Sequence, residues 1–158
     1  MTELHLPRDY QDLLFEFLDA RVEFVLIGGW AVAVHGHPRA TDDIDLLVRP
    51  TIENASRVVS ALKRFGAPLA QHGVTEGLFT RERYGYRIGC RPLLIEILTA
   101  VDGVGFEEAC AGAVYVEVEG LTIPVIGRQA LIKNKRAAGR AKDLADVDAL
   151  EQRTHEKS

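Results

Sequence analysis

The chain has 158 residues, 47% of them hydrophobic, and a formal net charge of −4. That is enough for one domain with a proper core and too little for two ordinary ones. The acidic balance speaks against a generally basic nucleic-acid-binding surface, which needs clustered Lys and Arg, while leaving local basic patches open. No apolar run reaches the length of a membrane span, and the start MTELHLPRDY lacks the charged and apolar regions of a signal peptide. Cys90 and Cys110 have no metal-type spacing. The expectation is a cytoplasmic protein with reduced thiols and no membrane contact.

In chain order, Pro7 to Arg21 reads as an amphipathic helix with Tyr10, Leu13, Leu14, Phe17 and Leu18 on one face. VEFVLI (22–27) is a β-branched apolar run that ends abruptly at Gly28-Gly29, a helix begins near Trp30, and Ile44 to Val48 is a second apolar run. The segment is strand, turn, helix, strand. Side chains alternate faces along a strand, so Asp43 and Asp45 share one face while Ile44 and Leu46 point into the core. Two carboxylates in one small volume repel unless a cation neutralises them, and hard oxygen ligands at a strand edge suit Mg²⁺. Gly28 and Gly29, lacking Cβ, let a phosphate approach the backbone N–H groups at the helix start. Each piece alone has a plainer reading: a common Gly-Gly turn, and a solvated loop or helix cap in Asp-Asp-Ile-Asp. His35 and His37 flank Gly36 and read as structural, since no further His or Cys lies nearby in sequence.

Glu53 to Phe65 reads as another helix, and residues 78–90 hold two short strand candidates around Tyr84-Gly85. Arg81, Arg83, Arg87 and Arg91 follow in quick succession; they line a substrate groove or stud the exposed face of a sheet. In LLIEILT (93–99), Glu96 interrupts a continuous hydrophobic strand, where an unpaired carboxylate costs several kcal/mol. Its other readings are a solvent-facing Glu on an edge strand, or one paired with Arg87 or Arg91. VYVEVEGLTIPVI (114–126) reads as a hairpin turning at Glu119-Gly120. Residues 130–152 read as two helices joined near Gly139, with periodicity through Leu131, Ile132, Leu144, Val147 and Leu150 and five basic residues, Lys133, Lys135, Arg136, Arg140 and Lys142. The outcome is a single α/β (α+β) domain over 1–152, a mixed sheet flanked by helices with carboxylates at one edge, and a frayed tail at 153–158.

Taken in order, GGWAVAVHGHPRATDDIDLLV resembles the signature of the polymerase-β-like nucleotidyltransferase superfamily: a Gly-Gly or Gly-Ser turn, a spacer, then Asp-hydrophobic-Asp. More narrowly it looks like the small bacterial branch of AbiEii-type toxin nucleotidyltransferases and minimal nucleotidyltransferases, over about Val22 to Leu150. The resemblance implies a third carboxylate from a later strand, which Glu96 supplies where many relatives have Asp, with Asp102 as fallback. It further implies two Mg²⁺ ions on Asp43, Asp45 and Glu96, with Glu96 also able to act as base. By the same resemblance Gly28 and Gly29 cradle the phosphates, Arg39 and Thr41 position the loop or the nucleotide, Lys133 and Lys142 contact the triphosphate, and Asp143 orients one of those lysines.

The implied reaction moves a nucleoside monophosphate from an NTP to an acceptor hydroxyl, releasing pyrophosphate. The acceptor is an RNA end or a partner protein, as in a toxin–antitoxin pair, or a small hydroxylated antibiotic. The chain is short for the toxin class. A different reading is a non-catalytic nucleotide-binding module on the same fold, against which stands the retention of two mutually repelling carboxylates.

Overall fold

A computed structural model describes residues 2–157, with side chains as far as Gln152. After a two-residue strand β1 (Thr2–Glu3) comes helix α1 (Arg8–Asp19), whose apolar stripe of Tyr10, Leu13, Leu14 and Phe17 is buried. Strand β2 (Phe24–Ile27), helix α2 (Gly28–Val34) and strand β3 (Asp43–Val48) then form the strand, turn, helix, strand unit read from the sequence. Helix α3 (Ile52–Phe65) starts where the Thr51 side chain accepts from the Asn54 N–H, and ends at Gly66 in the left-handed region, with Lys63 and Arg64 complementing its carbonyl end. Asn54 is fully buried and ties α3 to its neighbours: its side chain accepts from the Glu23 N–H at 2.7 Å and donates to the Glu23 and Arg49 carbonyls at 2.9 Å each.

Of the two strand candidates in 78–90, one is a strand, β4 (Gly85–Ile88), and the other is part of a 3₁₀ turn at Glu76–Thr80. The reason is Phe79, fully buried against the rings of Tyr84 and Tyr86 at 5.3 and 6.4 Å. One anchored aromatic fixes that segment, so alternation never develops. Strand β5 (Leu94–Leu98), helix α4 (Phe106–Ala111), and strands β6 (Val114–Val118) and β7 (Leu121–Val125) follow. The last two form the expected hairpin, with positive φ at both Glu119 and Gly120 as a type I′ turn requires. Helices α5 (Arg128–Ala138) and α6 (Ala141–Lys157) meet at Gly139, φ 69°. The segment expected to fray is helical as far as Lys157, and Ser158 lies outside the described residues.

The seven strands form one mixed sheet in the order β1-β6-β7-β2-β3-β5-β4. Strand β2 is buried along its whole length, which marks it as covered on both faces. Helices α1 and α3 pack together as one helix group; α5 gathers α2, α4 and α6 into another. Strand β3 lies between antiparallel β2 and parallel β5. Its Ile44, Leu46, Leu47 and Val48 are buried while Asp43 and Asp45 stay half-buried, so the alternation expected from the sequence holds at its beginning. This is the mixed sheet flanked by helices expected from the sequence.

Candidate active site

The pairing register builds the site. Asp45 stands opposite Ile27 of β2 on one side and opposite Glu96 of β5 on the other, and Glu96 in turn stands opposite Arg87 of β4. Residues directly opposite in adjacent strands face the same side, so Asp45, Glu96 and Arg87 form one row across three strands, with Asp43 two residues before Asp45 on the same face. Asp43, Asp45 and Glu96 can each offer an oxygen such that all three lie within 4.8 Å of one another. Burial pushes the Asp45 carboxyl well above the ordinary carboxylate range; the charge of Asp43 and a hydrogen bond and charge from Glu96 push the same way, and Lys135 opposes them.

Small neighbours hold this arrangement. Gly28, at φ +72°, opens α2 directly against Asp45: a Cβ there would sit 2.2 Å from Asp45 Oδ2. A Cβ on Gly29 would meet Thr41 Oγ1 at 2.8 Å. The space over both glycines is therefore filled by the chain's own Asp45 and Thr41 side chains, a packing reason for glycine beyond phosphate approach. The Thr41 hydroxyl lies 3.1 Å from Asp43 Oδ1 and 3.2 Å from the Asp43 carbonyl, fixing the first carboxylate from its own strand end. From below, the buried Tyr10 hydroxyl of α1 donates to the Leu94 carbonyl at 3.0 Å, two residues before Glu96. Burial first, then Asp43 and Asp45, push its pKa up to about 12.

A second cluster comes from α5 and α6. The Lys135 ammonium is buried, 3.2 Å from Asp143 Oδ1 and 3.1 Å from Asp146 Oδ2. Arg39 reaches across from the α2–β3 loop and donates twice to Asp146, at 2.8 and 2.9 Å, and also to the Ala40 carbonyl at 3.0 Å. Arg140 donates to Asp143 Oδ2 at 2.7 Å. Burial alone would raise both aspartates; the hydrogen bonds from Arg140 and Lys135 to Asp143, and from Arg39 and Lys135 to Asp146, outweigh it and hold both below the usual carboxylate value.

The two clusters face one cavity of about 650 Å³. Gly28, Gly29, Arg39, Thr41, Asp43, Asp45, Glu96, Lys142 and Asp143 all line it, which brings nearly every residue singled out in the sequence to one place. Lys133 is not among them. Its ammonium pairs with Glu108 of α4 at 2.9 Å, and Lys135 occupies the cavity side instead. Two residues of helix turn about 200°, so Lys133 and Lys135 point to nearly opposite sides. Accordingly Asp143 orients Lys135 and Arg140, not Lys133 or Lys142. The signal for Lys135 was present: it follows Leu131 by four and Ile132 by three, on the buried face. Asp146, which the sequence reading did not name, precedes the buried Leu150 by four. Leu144, counted in that periodicity, is exposed while Asp143 is buried, because the charged cluster claims the inner face.

Glu96 stands in the carboxylate cluster and also 3.5 Å from Arg87, one of the pairings read from the sequence. Asp102 also lines the cavity, but its carboxylate pairs with Arg83 at 3.3 Å. Arg83, Arg87 and Arg91 are on the cavity wall and Arg81 is not. His35 has the structural role expected, a ring nitrogen 2.7 Å from the Ile126 carbonyl.

A mixed sheet carrying three clustered carboxylates beside a glycine turn is the arrangement that the resemblance of residues 28–48 to nucleotidyltransferases implies. The same fold is found in a candidate nucleotidyltransferase from Thermotoga maritima, whose crystal structure superposes with a TM-score of 0.55 over 96% of this chain and 97% of that one, at 20% identity. The chain belongs to the aminoglycoside-2″-adenylyltransferase family, whose sequence pattern matches residues 11–152. No curated protein matches it. The superfamily read from residues 28–48 stands, and neither match names the AbiEii-type branch.

Proposed function

We propose that the protein transfers a nucleoside monophosphate from an NTP to an acceptor hydroxyl at the cluster of Asp43, Asp45 and Glu96, releasing pyrophosphate. The observation that carries this reading is the approach of three carboxylate oxygens to within 4.8 Å, with Asp45 raised by burial and by its neighbours. An all-oxygen, acidic donor set of this kind fits Mg²⁺, which uses a few carboxylates and leaves positions for water and phosphate. Asp43 and Asp45 would hold two such ions and Glu96 would complete the second site. When bound, the ions neutralise charge on the triphosphate and acidify the attacking hydroxyl.

The chain's own groups would do the rest. The backbone N–H groups at the start of α2 would bind phosphate oxygens at Gly28 and Gly29, and Lys142 of α6 would add a cation. Thr41 fixes Asp43. Arg39 fixes the loop that carries Thr41 by its double bond to Asp146, acting as a positioning residue rather than a nucleotide ligand. Glu96 takes the hydroxyl proton. The family name supports ATP as donor and a hydroxylated acceptor; the toxin-type acceptors, an RNA end or a partner protein, rest on the resemblance of residues 28–48 alone.

The test is incubation with each labelled NTP, Mg²⁺ and candidate acceptors. Wild type is expected to release pyrophosphate and label an acceptor, and the Asp43→Asn, Asp45→Asn protein to lose at least about 10³-fold in rate. A folded double variant with undiminished transfer would refute the assignment; Mg²⁺-dependent NTP binding without any transfer would favour a binding module.

A further inference from the structure

We propose that the acceptor carries phosphate, and that Arg83, Arg87 and Arg91 bind it beside the attacked hydroxyl. The inference rests on the reading of Glu96 as base. Glu96 stands between Asp45 of β3 and Arg87 of β4, so a hydroxyl delivered to it on the side away from the aspartates brings its flanking atoms over β4 and the loop that follows. Arg83, Arg87 and Arg91 line that wall. All three arginines are exposed and line the cavity. The acids against them are Asp102, 3.3 Å from Arg83, and Glu96, 3.5 Å from Arg87; among the described residues Arg91 has no ion pair.

With Asp102 and Glu96 set against them, the three arginines leave one net positive charge on this wall, carried by Arg91, in a chain whose net charge is −4. On the proposed function the triphosphate is met by Lys142 and the α2 start, which leaves the three arginines to the acceptor. Guanidinium forks match phosphate oxygens two at a time and repel ammonium groups. A polycationic aminoglycoside meets like charge on this wall; an RNA end or a sugar phosphate meets its complement. In the step itself, the acceptor oxygen forms a bond to the α-phosphorus, the bond from that phosphorus to the pyrophosphate oxygen breaks, pyrophosphate leaves, and the hydroxyl proton passes to Glu96.

The experiment measures binding of three probes to protein preloaded with Mg²⁺ and a non-hydrolysable ATP analogue: a fluorescent single-stranded RNA oligonucleotide with a free 3′-hydroxyl, ribose 5-phosphate, and an aminoglycoside. Wild type is compared with an Arg83→Gln, Arg87→Gln, Arg91→Gln variant. The expected result is that at least one phosphate probe binds wild type about tenfold or more tightly than the variant, with analogue affinity equal within about twofold. For the oligonucleotide, the slope of log affinity against log salt should flatten by about 2, at roughly 0.7 per lost phosphate contact on a single strand. The oligonucleotide binding while ribose 5-phosphate does not identifies a nucleic-acid end; ribose 5-phosphate binding with equal arginine dependence identifies a phosphorylated small molecule. The proposal is overturned if neither phosphate probe binds, if the variant binds them as well as wild type, if the aminoglycoside alone binds, or if the variant loses the analogue equally, which would give the arginines to the triphosphate. Wild type failing to bind the analogue at all would instead bring down the reading of the site on which this rests.

Discussion

Two charged clusters face the same cavity and are built on opposite principles. Asp43, Asp45 and Glu96 gather like charge, with Asp45 held far above its ordinary pKa, whereas Lys135, Asp143, Asp146, Arg39 and Arg140 interleave opposite charges until both aspartates fall below theirs. The first leaves like charge that the cation of the proposed function would neutralise; the second pairs its aspartates within the chain. Burial alone does not mark a working group in this molecule. The sign of the leftover charge does.

Breaking the complete cluster should have the largest effect on stability. Lys135→Met leaves two buried carboxylates without their shared ammonium and is expected to destabilise the fold by about 3–5 kcal/mol, read as a lowered denaturation midpoint at pH 7. A loss below about 1 kcal/mol would mean the cluster is not the fixture described. Next comes Gly28→Ala, expected to cost about 1–3 kcal/mol from left-handed backbone strain and the collision with Asp45, and to weaken Mg²⁺ binding. Gly66→Ala is its control, with φ +100° but nothing within 4 Å of the new Cβ, so metal binding should be untouched there.

The smallest effect carries the sharpest contrast, because its sign is reversed. Asp45→Asn removes repulsion, so metal-free protein at pH 7 should gain about 1 kcal/mol while losing activity. The pH dependence follows the same division. A carboxyl raised in the folded state keeps its proton where the unfolded chain has released it, so Asp45 makes metal-free stability fall as pH rises from the ordinary value of 3.8 through its raised pKa. Asp143 and Asp146, lowered in the folded state, give stability that is present above 3.8 and lost as pH falls through their depressed values. Chemical denaturation across pH should show the decline that sets in above pH 3.8 abolished by Asp45→Asn or by Mg²⁺. It should show the acid decline reduced by Lys135→Met. Because Lys135 also lowers Asp45, Lys135→Met changes both limbs, so the division is tested by Asp45→Asn, which should leave the acid limb in place; a changed acid limb there would mean the two clusters are not separate devices.

The strand-borne half of the site was legible in the sequence because a strand leaves no freedom of phase: once Ile44 and Leu46 are core, Asp43 and Asp45 must share the other face. Glu96 showed itself as a charge inside LLIEILT. The helical half was less legible. Choosing among Lys133, Lys135 and Lys142 requires knowing the helix phase to within one residue, and counting apolar residues drew in the exposed Leu144 while passing over Lys135, Asp143 and Asp146, which behave as core once paired. The 3₁₀ turn at Glu76–Thr80 was missed because Leu78, Phe79 and Thr80 suit a strand and only tertiary packing of Phe79 decides otherwise. The pair between Arg39 and Asp146 joins residues more than a hundred positions apart, beyond any local pattern.

The register that sets Asp45 beside Glu96 makes sheet pairing a condition for chemistry. A slip of β5 by one residue would present Ile95 or Ile97 beside Asp45 and turn Glu96 toward the opposite face. Such a misfolded sheet could keep its backbone hydrogen bonds and still lose the metal site. Cation binding, as the proposed function has it, would thus select the correctly registered sheet from its near neighbours, and the same ligand would proofread the fold.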